Sequence, residues 1–255
     1  MPLAIDVSNY TGPIDLAHAR ALVAAGVRRV VVGTQYPPAP FPPGAAHRQI
    51  PALLDVGIEV HAYVYLWLAS DTAAQVRDAA ARIAPWEGHL GALWLDVEDT
   101  TAEALTPAQR LQALRAAIEA ARTVAPGRPL GIYTARWYWH QAMADTDACA
   151  ALPLWAAQYD GRRDLEFAPF GGWRAAAMKQ YAGDTEIAGL ENVDLNWYEA
   201  APRPLTEAEL GYAFAALYRG LAPQHLPVDV RWGAASRDAD GTEVHPLLVR
   251  GRAQD

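Results

Sequence analysis

The chain has 255 residues, 52% of them hydrophobic, which is enough to bury a large core in one barrel-sized domain. Its formal net charge of −8 and its lack of a basic run argue against nucleic acid or an anionic membrane surface as a partner. Cys149 is the single cysteine, which excludes a disulfide framework and a thiolate metal cluster.

Strands and helices are predicted to alternate along the first half of the chain. The predicted strands cover residues 3–8, 27–34, 58–67, 92–99 and 130–134. The predicted helices cover residues 15–25, 46–55, 72–83 and 106–124. A loop at residues 36–44, with five prolines, interrupts the pattern. Repeated alternation of this kind predicts parallel strands joined by right-handed crossovers.

The next three strands are predicted at shorter spacing, at residues 154–159, 176–181 and 192–197. The gaps between them are too short for a crossover helix with its loops, so their direction, parallel or antiparallel, stays open. The predicted fold class is therefore α/β, a TIM-like barrel of the (β/α)5(β)3 type, in which only the first five strands have helices.

The end of the chain has a different character. A proline-containing linker at residues 202–204 precedes a predicted helix at 206–221 and a predicted hairpin formed by residues 228–232 and 244–249. We expect a barrel domain at residues 1–200 and a small helix-plus-hairpin appendage at 201–255. The appendage has no acid pair of its own, so we do not expect it to carry chemistry. We expect it to pack against the barrel or a neighbouring subunit; the alternative is a wall-binding or targeting module.

Residues 92–99 form an apolar run that ends in three acids. In a strand, Asp96 and Glu98 face the same way, whereas Asp99 has the opposite phase and is not expected to take part in the chemistry. Barrel enzymes present their catalytic acids at such strand ends. The alternative is a strand that ends in solvent, with hydrated acids.

Further acids lie on the strands expected to face this pair across the barrel mouth. Asp6 closes the first strand and Asp194 lies in the last, so Asp6, Asp96, Glu98 and Asp194 are the candidate catalytic residues. Like charges this close raise at least one carboxyl pKa, which suits a general acid near neutral pH. The alternative is that these acids form salt bridges with arginines of the barrel.

Aromatic and amide residues gather at the same edge of the predicted barrel, as expected for a site that binds a sugar polymer. The candidate substrate-binding residues are Tyr63, Trp67, Tyr133, Trp155, Tyr159, Gln180, Tyr181 and Asn196. The histidines are scattered, and His61 within a strand is expected to be a packed core residue. We therefore expect no metal and no cofactor.

Six motifs occur in order at barrel-strand spacing and together carry a resemblance. They are Ile5-Asp6-Val7-Ser8, Leu95-Asp96-Val97-Glu98, Ile132-Tyr133-Thr134, Trp155-x-Ala157-x-Tyr159, Gln180-Tyr181 and Val193-Asp194-Leu195-Asn196. Over residues 3–198 the chain resembles glycoside hydrolase family 25, the Chalaropsis-type lysozymes or N-acetylmuramidases.

The resemblance implies hydrolysis of the β-1,4 bond between N-acetylmuramic acid and N-acetylglucosamine in peptidoglycan. It implies Glu98 as proton donor and Asp96 as its assistant, acting either on the substrate acetamido group or on water, while Asp6 and Asp194 tune both and hold the substrate. Two carboxyl groups from neighbouring inward positions leave too little room for the water of an inverting enzyme, which favours a substrate-assisted route with retention.

Two alternative interpretations of these residues remain, one with a different substrate and one in which the protein is not an enzyme. One is a hydrolase of another N-acetylhexosamine polymer, such as a chitinase-like enzyme, and another is a non-catalytic glycan-binding or phage structural barrel. The expected place of action is outside the cell or at its wall, although no signal peptide is visible; a phage endolysin released from the cytoplasm is an alternative. The sequence does not indicate an oligomeric state.

Overall fold

The structure is a computed structural model that describes residues 3–34 and 45–199, together with strands at 228–232, 236–237, 243–244 and 247–251. Backbone contacts divide the chain into two compact units, of which the larger is Pro2–Glu199. The predicted proline-rich loop, linker and C-terminal helix lie outside the described residues.

Eight strands close into a barrel in which each strand pairs with its neighbours in chain order. The strands are β1 (Leu3–Val7), β2 (Val27–Gly33), β3 (Glu59–Tyr65), β4 (Leu90–Asp96), β5 (Leu130–Ala135), β6 (Leu154–Ala157), β7 (Met178–Ile187) and β8 (Leu190–Tyr198). The helices are α1 (Leu16–Ala24), α2 (Ala45–Asp55), α3 (Thr72–Ile83), α4 (Pro107–Val124) and α5 (Arg136–Ala142). A short 3-10 helix, Ala84–His89, leads into β4. The predicted (β/α)5(β)3 barrel is confirmed.

The direction of the last strands, which the spacing left open, differs between β6–β7 and β8. Strands β5, β6 and β7 pair in parallel, whereas β8 runs antiparallel to both β7 and β1. Only the two residues Ala188 and Gly189 separate β7 from β8, and both have positive φ angles, of 55° and 78°. A two-residue turn of this hand can join only antiparallel strands, so the closing strand is reversed.

The helix boundaries follow from local capping chemistry. The Asp15 side chain accepts the backbone N–H of His18 at the start of α1. Thr106 and Gln109 form a reciprocal capping box at the start of α4, with a proline at the first helical position. Gly26, with a φ of 89°, ends the turn after α1, because a left-handed residue there favours glycine. These local signals explain why α1 and α4 could be located from sequence, whereas α5 has no side-chain cap and its range was not predicted.

The barrel interior is filled by large aromatic side chains. The Trp155 ring contacts those of Tyr133, Trp94 and Tyr63, with centroids 4.6, 5.8 and 6.3 Å apart, all in edge-to-face geometry. A side chain at Gly131 would overlap the Trp94 indole, so glycine at this position makes room for the ring. This packed floor supports the polar residues at the mouth of the barrel.

A buried lysine anchors the segment between β6 and β7 from outside the barrel. The Lys179 side chain is fully buried, and its ammonium group contacts the carboxylates of Asp160 and Asp164 and donates to the Glu166 carbonyl. Lys179 therefore faces away from Gln180, its neighbour on β7, as the strand alternation predicts. Its hydrogen bond lowers the pKa of Asp164.

Lys179→Met is expected to lower the free energy of unfolding by about 2 kcal/mol, because it leaves two acids without their buried cation. Denaturant titration followed by circular dichroism measures the change. Arg162→Met is the matched control, since Arg162 contacts Asp160 from an exposed position and its loss should matter much less. Equal changes in the two variants would contradict the anchoring role.

The second unit contains four short described strands. Strand β9 (Val228–Trp232) pairs antiparallel with β12 (Leu247–Gly251), and β10 (Ser236–Arg237) pairs antiparallel with β11 (Glu243–Val244). Residues 228–232 form an antiparallel pair as predicted, but their partner strand is residues 247–251 and not 244–249. Among the described residues of both units, no helix has the length and apolar character needed to cross a membrane.

Candidate active site

Four carboxyl groups line one cleft at the mouth of the barrel. The cleft has a volume of about 530 Å³, and its lining includes Asp6, Asp96, Glu98 and Asp194. Asp6 lies on β1, Asp96 is the last residue of β4, and Glu98 follows two residues later. Asp194 lies on the reversed strand β8, directly opposite Asp6. The structure thus brings together all four acids that the sequence singled out.

Two side-chain amides hold Asp6 and Asp194. The Gln180 amide nitrogen donates to Asp6 Oδ2 at 2.9 Å and to Asp194 Oδ2 at 3.0 Å. The Asn196 amide nitrogen donates to the same Asp6 oxygen at 2.7 Å. Burial and the nearby Asp194 carboxylate raise the pKa of Asp6, while the two amide donors oppose that rise.

Aromatic groups fix the orientation of both amides. The hydroxyls of Tyr133 and Tyr159 donate to Gln180 Oε1 at 2.7 and 2.8 Å. The Trp155 indole N–H donates to Asn196 Oδ1 at 2.7 Å. Because each amide oxygen already accepts a hydrogen bond, each amide nitrogen points toward the acids. The aromatic floor therefore acts on the carboxyl groups through Gln180 and Asn196.

Asp96 has a different environment from Asp6. It is 6% exposed, and its Oδ1 atom has no hydrogen-bond partner among the described residues. Burial, followed by the charges of Glu98 and Asp6, raises its pKa well above the ordinary value. An unpaired buried oxygen at the edge of a cleft is costly in the free protein, and a donor on a bound ligand would satisfy it.

Glu98 is partly buried and lines the cleft beside Asp96. Burial and the Asp194 carboxylate raise the pKa of Glu98 to about 6. A carboxyl group with this pKa keeps a proton in mildly acidic solution and can deliver it to a leaving group, as a general acid must.

With Glu98 as the proton donor that the resemblance implies, the rate of hydrolysis is expected to fall tenfold per pH unit above about pH 6, because the protonated form of Glu98 is lost there. The sign follows from the raised pKa: the acid form dominates below pH 6 and is lost above it. Values of kcat/KM, obtained from initial rates on a soluble glycan between pH 4 and pH 9, measure this decrease. A rate that stays level to pH 8 would contradict Glu98 as the donor.

Asp99, the third acid of the run, has a structural role. It is 1% exposed, and its carboxylate accepts the backbone N–H of Leu68 at 2.8 Å and that of Thr101 at 2.9 Å. It does not line the cleft. The opposite strand phase assigned from sequence agrees with this placement, and the hydrogen bonds show that the acid ties down loops near the barrel mouth.

The predicted substrate-binding residues divide into three groups. The cleft lining includes Tyr63, Trp67, Tyr133, Trp155 and Gln180. Tyr159 is 63% exposed and lines an adjoining cavity that also contains Glu98. Asn196 and Tyr181 are buried and line neither cavity. Asn196 acts through Asp6, whereas the Tyr181 hydroxyl has no partner among the described residues.

Sequence reasoning missed several residues of the cleft. Tyr65 lines it between Tyr63 and Trp67, and alternation along the strand was the signal that could have included it. Asp184 and Asn192 also line it, from the long β7–β8 hairpin. The predicted strand at residues 176–181 stopped before Asp184. Asn192 lies in the predicted strand at 192–197 and shares the face of Asp194, so strand alternation was the signal that could have included it.

The alternative in which barrel arginines pair with the acids does not hold for the part of the chain that the structure describes. There the ion pairs involve other acids, such as Glu59 with Arg29. His61 is a packed residue as predicted, with Nε2 2.9 Å from Glu59 and Nδ1 accepting the Trp94 indole N–H. No cluster of described His, Cys, Asp and Glu residues has the arrangement of a metal site.

Comparisons with known proteins place the chain in one family. A family model described as "Glycosyl hydrolases family 25" matches residues 5–190. "Probable GH family 25 lysozyme 3" of Dictyostelium discoideum is 29% identical over 167 residues, which are 62% of this chain and 34% of that protein. The chain thus spans about a third of the length of this relative.

Solved structures show the same fold. A muramidase from Acremonium alcalophilum has a TM-score of 0.62 and 22% identity, covering 86% of this chain and all of the other. A family 25 glycosyl hydrolase from Bacillus anthracis has a TM-score of 0.64 and 17% identity, covering 83% and 93%. Because the family model matches well over half of the residues, the chain belongs to glycosyl hydrolases family 25, which confirms the resemblance inferred from sequence.

Proposed function

We propose that the protein hydrolyses the β-1,4 bond between N-acetylmuramic acid and N-acetylglucosamine in peptidoglycan. Four carboxyl groups in one cleft carry the proposal, with the proton-holding Glu98 beside the unpaired Asp96 oxygen. Family membership supports a glycosyl hydrolase, and relatives described as lysozymes and muramidases support peptidoglycan as the substrate. With this substrate, the place of action is the cell wall.

In the first step of the proposed mechanism, the acetamido oxygen of the muramic acid residue attacks its own anomeric carbon. The glycosidic bond breaks as Glu98 transfers its proton to the leaving oxygen. Asp96 accepts the acetamido N–H through its unpaired oxygen, and this hydrogen bond favours the ionised form of Asp96 in the complex. Its negative charge then stabilises the positive charge that develops on the cyclic intermediate. Asp194, which Gln180 ties to Asp6, raises the pKa of Glu98 and so helps it to keep its proton until the bond breaks.

In the second step, water attacks the anomeric carbon and gives its proton to the Glu98 carboxylate. The cyclic intermediate reopens to the acetamido group, and Glu98 returns to its acid form. Two displacements at one carbon leave the product with the configuration of the substrate. If Asp96 instead activated water for direct attack, the configuration would be inverted.

Product analysis tests the proposal. Purified peptidoglycan is digested with the enzyme, the fragments are identified by mass spectrometry, and the anomeric form of fresh product is followed by NMR. The expected fragments end in reducing N-acetylmuramic acid with the β configuration. Fragments ending in reducing N-acetylglucosamine would contradict the assigned bond, and glycan binding without cleavage would favour a non-catalytic barrel.

A further inference from the structure

A second cavity adjoins the acidic cleft, and Glu98 lines both. It has a volume of about 490 Å³ and lies between the end of β5, the helix α5 and the end of β6. Its lining includes Arg136, Trp137, His140 and Tyr159. Since the proposed proton donor stands where the two spaces meet, a polymer cleaved there has to extend into both.

The chemistry of the acids sets the direction of the bound glycan. The main cleft contains Asp96, which assists attack at the anomeric carbon, and the Asp6–Asp194 pair. The sugar that is attacked therefore occupies the main cleft. A proton donor acts on the leaving oxygen, so the leaving-group sugars lie on the other side of Glu98, in the second cavity.

The two spaces have opposite charge character. The described lining of the main cleft contains no lysine or arginine beside its acids, so it offers no cationic partner to an anionic group. Arg136 lines the second cavity, is exposed, and makes no ion pair with any described residue. His140 lies 3.7 Å from Asp145, which leaves Arg136 as the cation available to a ligand.

Exposed aromatic rings accompany the arginine. Trp137 is 53% exposed and Tyr159 is 63% exposed, both unusually open for rings of this size. Rings of this kind stack on the apolar faces of sugars, while a guanidinium group binds a carboxylate through two parallel hydrogen bonds. The cavity thus combines a surface for sugar rings with one site for an anion.

We propose that the second cavity binds the leaving-group side of the glycan and that Arg136 there pairs with a carboxylate of a muramic acid arm. This inference rests on the proposed function, since it uses Glu98 as the proton donor. The carboxylate belongs either to the lactyl group of a peptide-free muramic acid or to the peptide attached to it. Arg136 is then a specificity-determining residue, which distinguishes acidic from neutral glycans.

The test compares matched soluble fragments whose carboxylates are free or converted to amides, each prepared with and without the peptide. The measured quantity is the ratio of kcat/KM between the acidic and the amidated fragment. We expect the wild-type ratio to be about five- to tenfold, from one charge-assisted contact at a partly exposed site. Arg136→Gln should bring the ratio to about one, and Arg136→Lys should restore part of it. The fragment pair that shows the preference identifies the source of the carboxylate.

The exposed Arg20 lines neither cavity, so Arg20→Gln controls for the change in net charge and should keep the wild-type ratio. A wild-type ratio of one, or an unchanged ratio in Arg136→Gln, would overturn the inference. If the wild-type protein cleaves no fragment, the proposed function fails. Calorimetric binding of the same fragments then decides on Arg136 separately, by the loss or retention of the preference in Arg136→Gln.

Discussion

Glu98→Gln is expected to reduce glycan hydrolysis by about 10³-fold, within the range that general acids contribute. Glutamine keeps the shape of the side chain but has no acidic proton for the leaving oxygen. The pH dependence above pH 6 should disappear in the remaining activity, because the group that titrates there has been removed. Initial rates on soluble fragments, together with circular dichroism and thermal unfolding, measure both effects.

Glu103→Gln is the matched control for this variant. Glu103 is exposed, lies five residues beyond Glu98, and lines neither cavity. The same chemical change there should leave the rate within about twofold, as for most surface substitutions. Near-normal hydrolysis by folded Glu98→Gln would remove Glu98 from the mechanism.

Asp96→Asn is expected to lower kcat by about 10²-fold with little change in KM, because the charge of Asp96 acts on the cyclic intermediate and its transition state. At pH 8 the free energy of unfolding of the variant should equal or exceed that of the wild type, because asparagine removes a buried charge. Loss of activity without loss of stability would distinguish a catalytic role from a structural one.

A substrate analogue supplies the control for Asp96. In the analogue, a hydroxyl group replaces the acetamido group of the attacked sugar, so substrate-assisted attack cannot occur. The wild-type enzyme should hydrolyse it poorly, and Asp96→Asn should cause little further loss. A full 10²-fold loss on the analogue as well would instead indicate that Asp96 activates water.

The strand and helix order could be predicted because each of its signals is local. The β-branched run at residues 27–33, the capping box at Thr106 and the short gaps after β5 each depend on residues close together in the chain. The direction of β8 could not be predicted in the same way. It depends on the two-residue turn at Ala188–Gly189, and the predicted strands stopped before reaching that turn.

The four candidate catalytic acids could also be located from sequence, but their hydrogen-bond partners and protonation could not. Strand alternation places Asp96 and Glu98 on one face, and barrel closure brings Asp6 and Asp194 to the same mouth. Asp6 receives two amide hydrogen bonds, whereas an oxygen of Asp96 receives none among the described residues. That difference arises from hydrogen-bond partners that are far apart in sequence, since Asn196 lies 190 positions from Asp6 along the chain.

The sequence by itself therefore determined the barrel type, the order of its elements and the acids at its mouth. The tertiary structure alone decided which amides hold which acid, how deeply each carboxyl group is buried, and that a second cavity with Arg136 adjoins Glu98. The physical reason is the separation of the interacting residues along the chain. Periodicity and capping are properties of neighbouring residues. Desolvation and hydrogen-bond partners depend on side chains that only the closed barrel brings together.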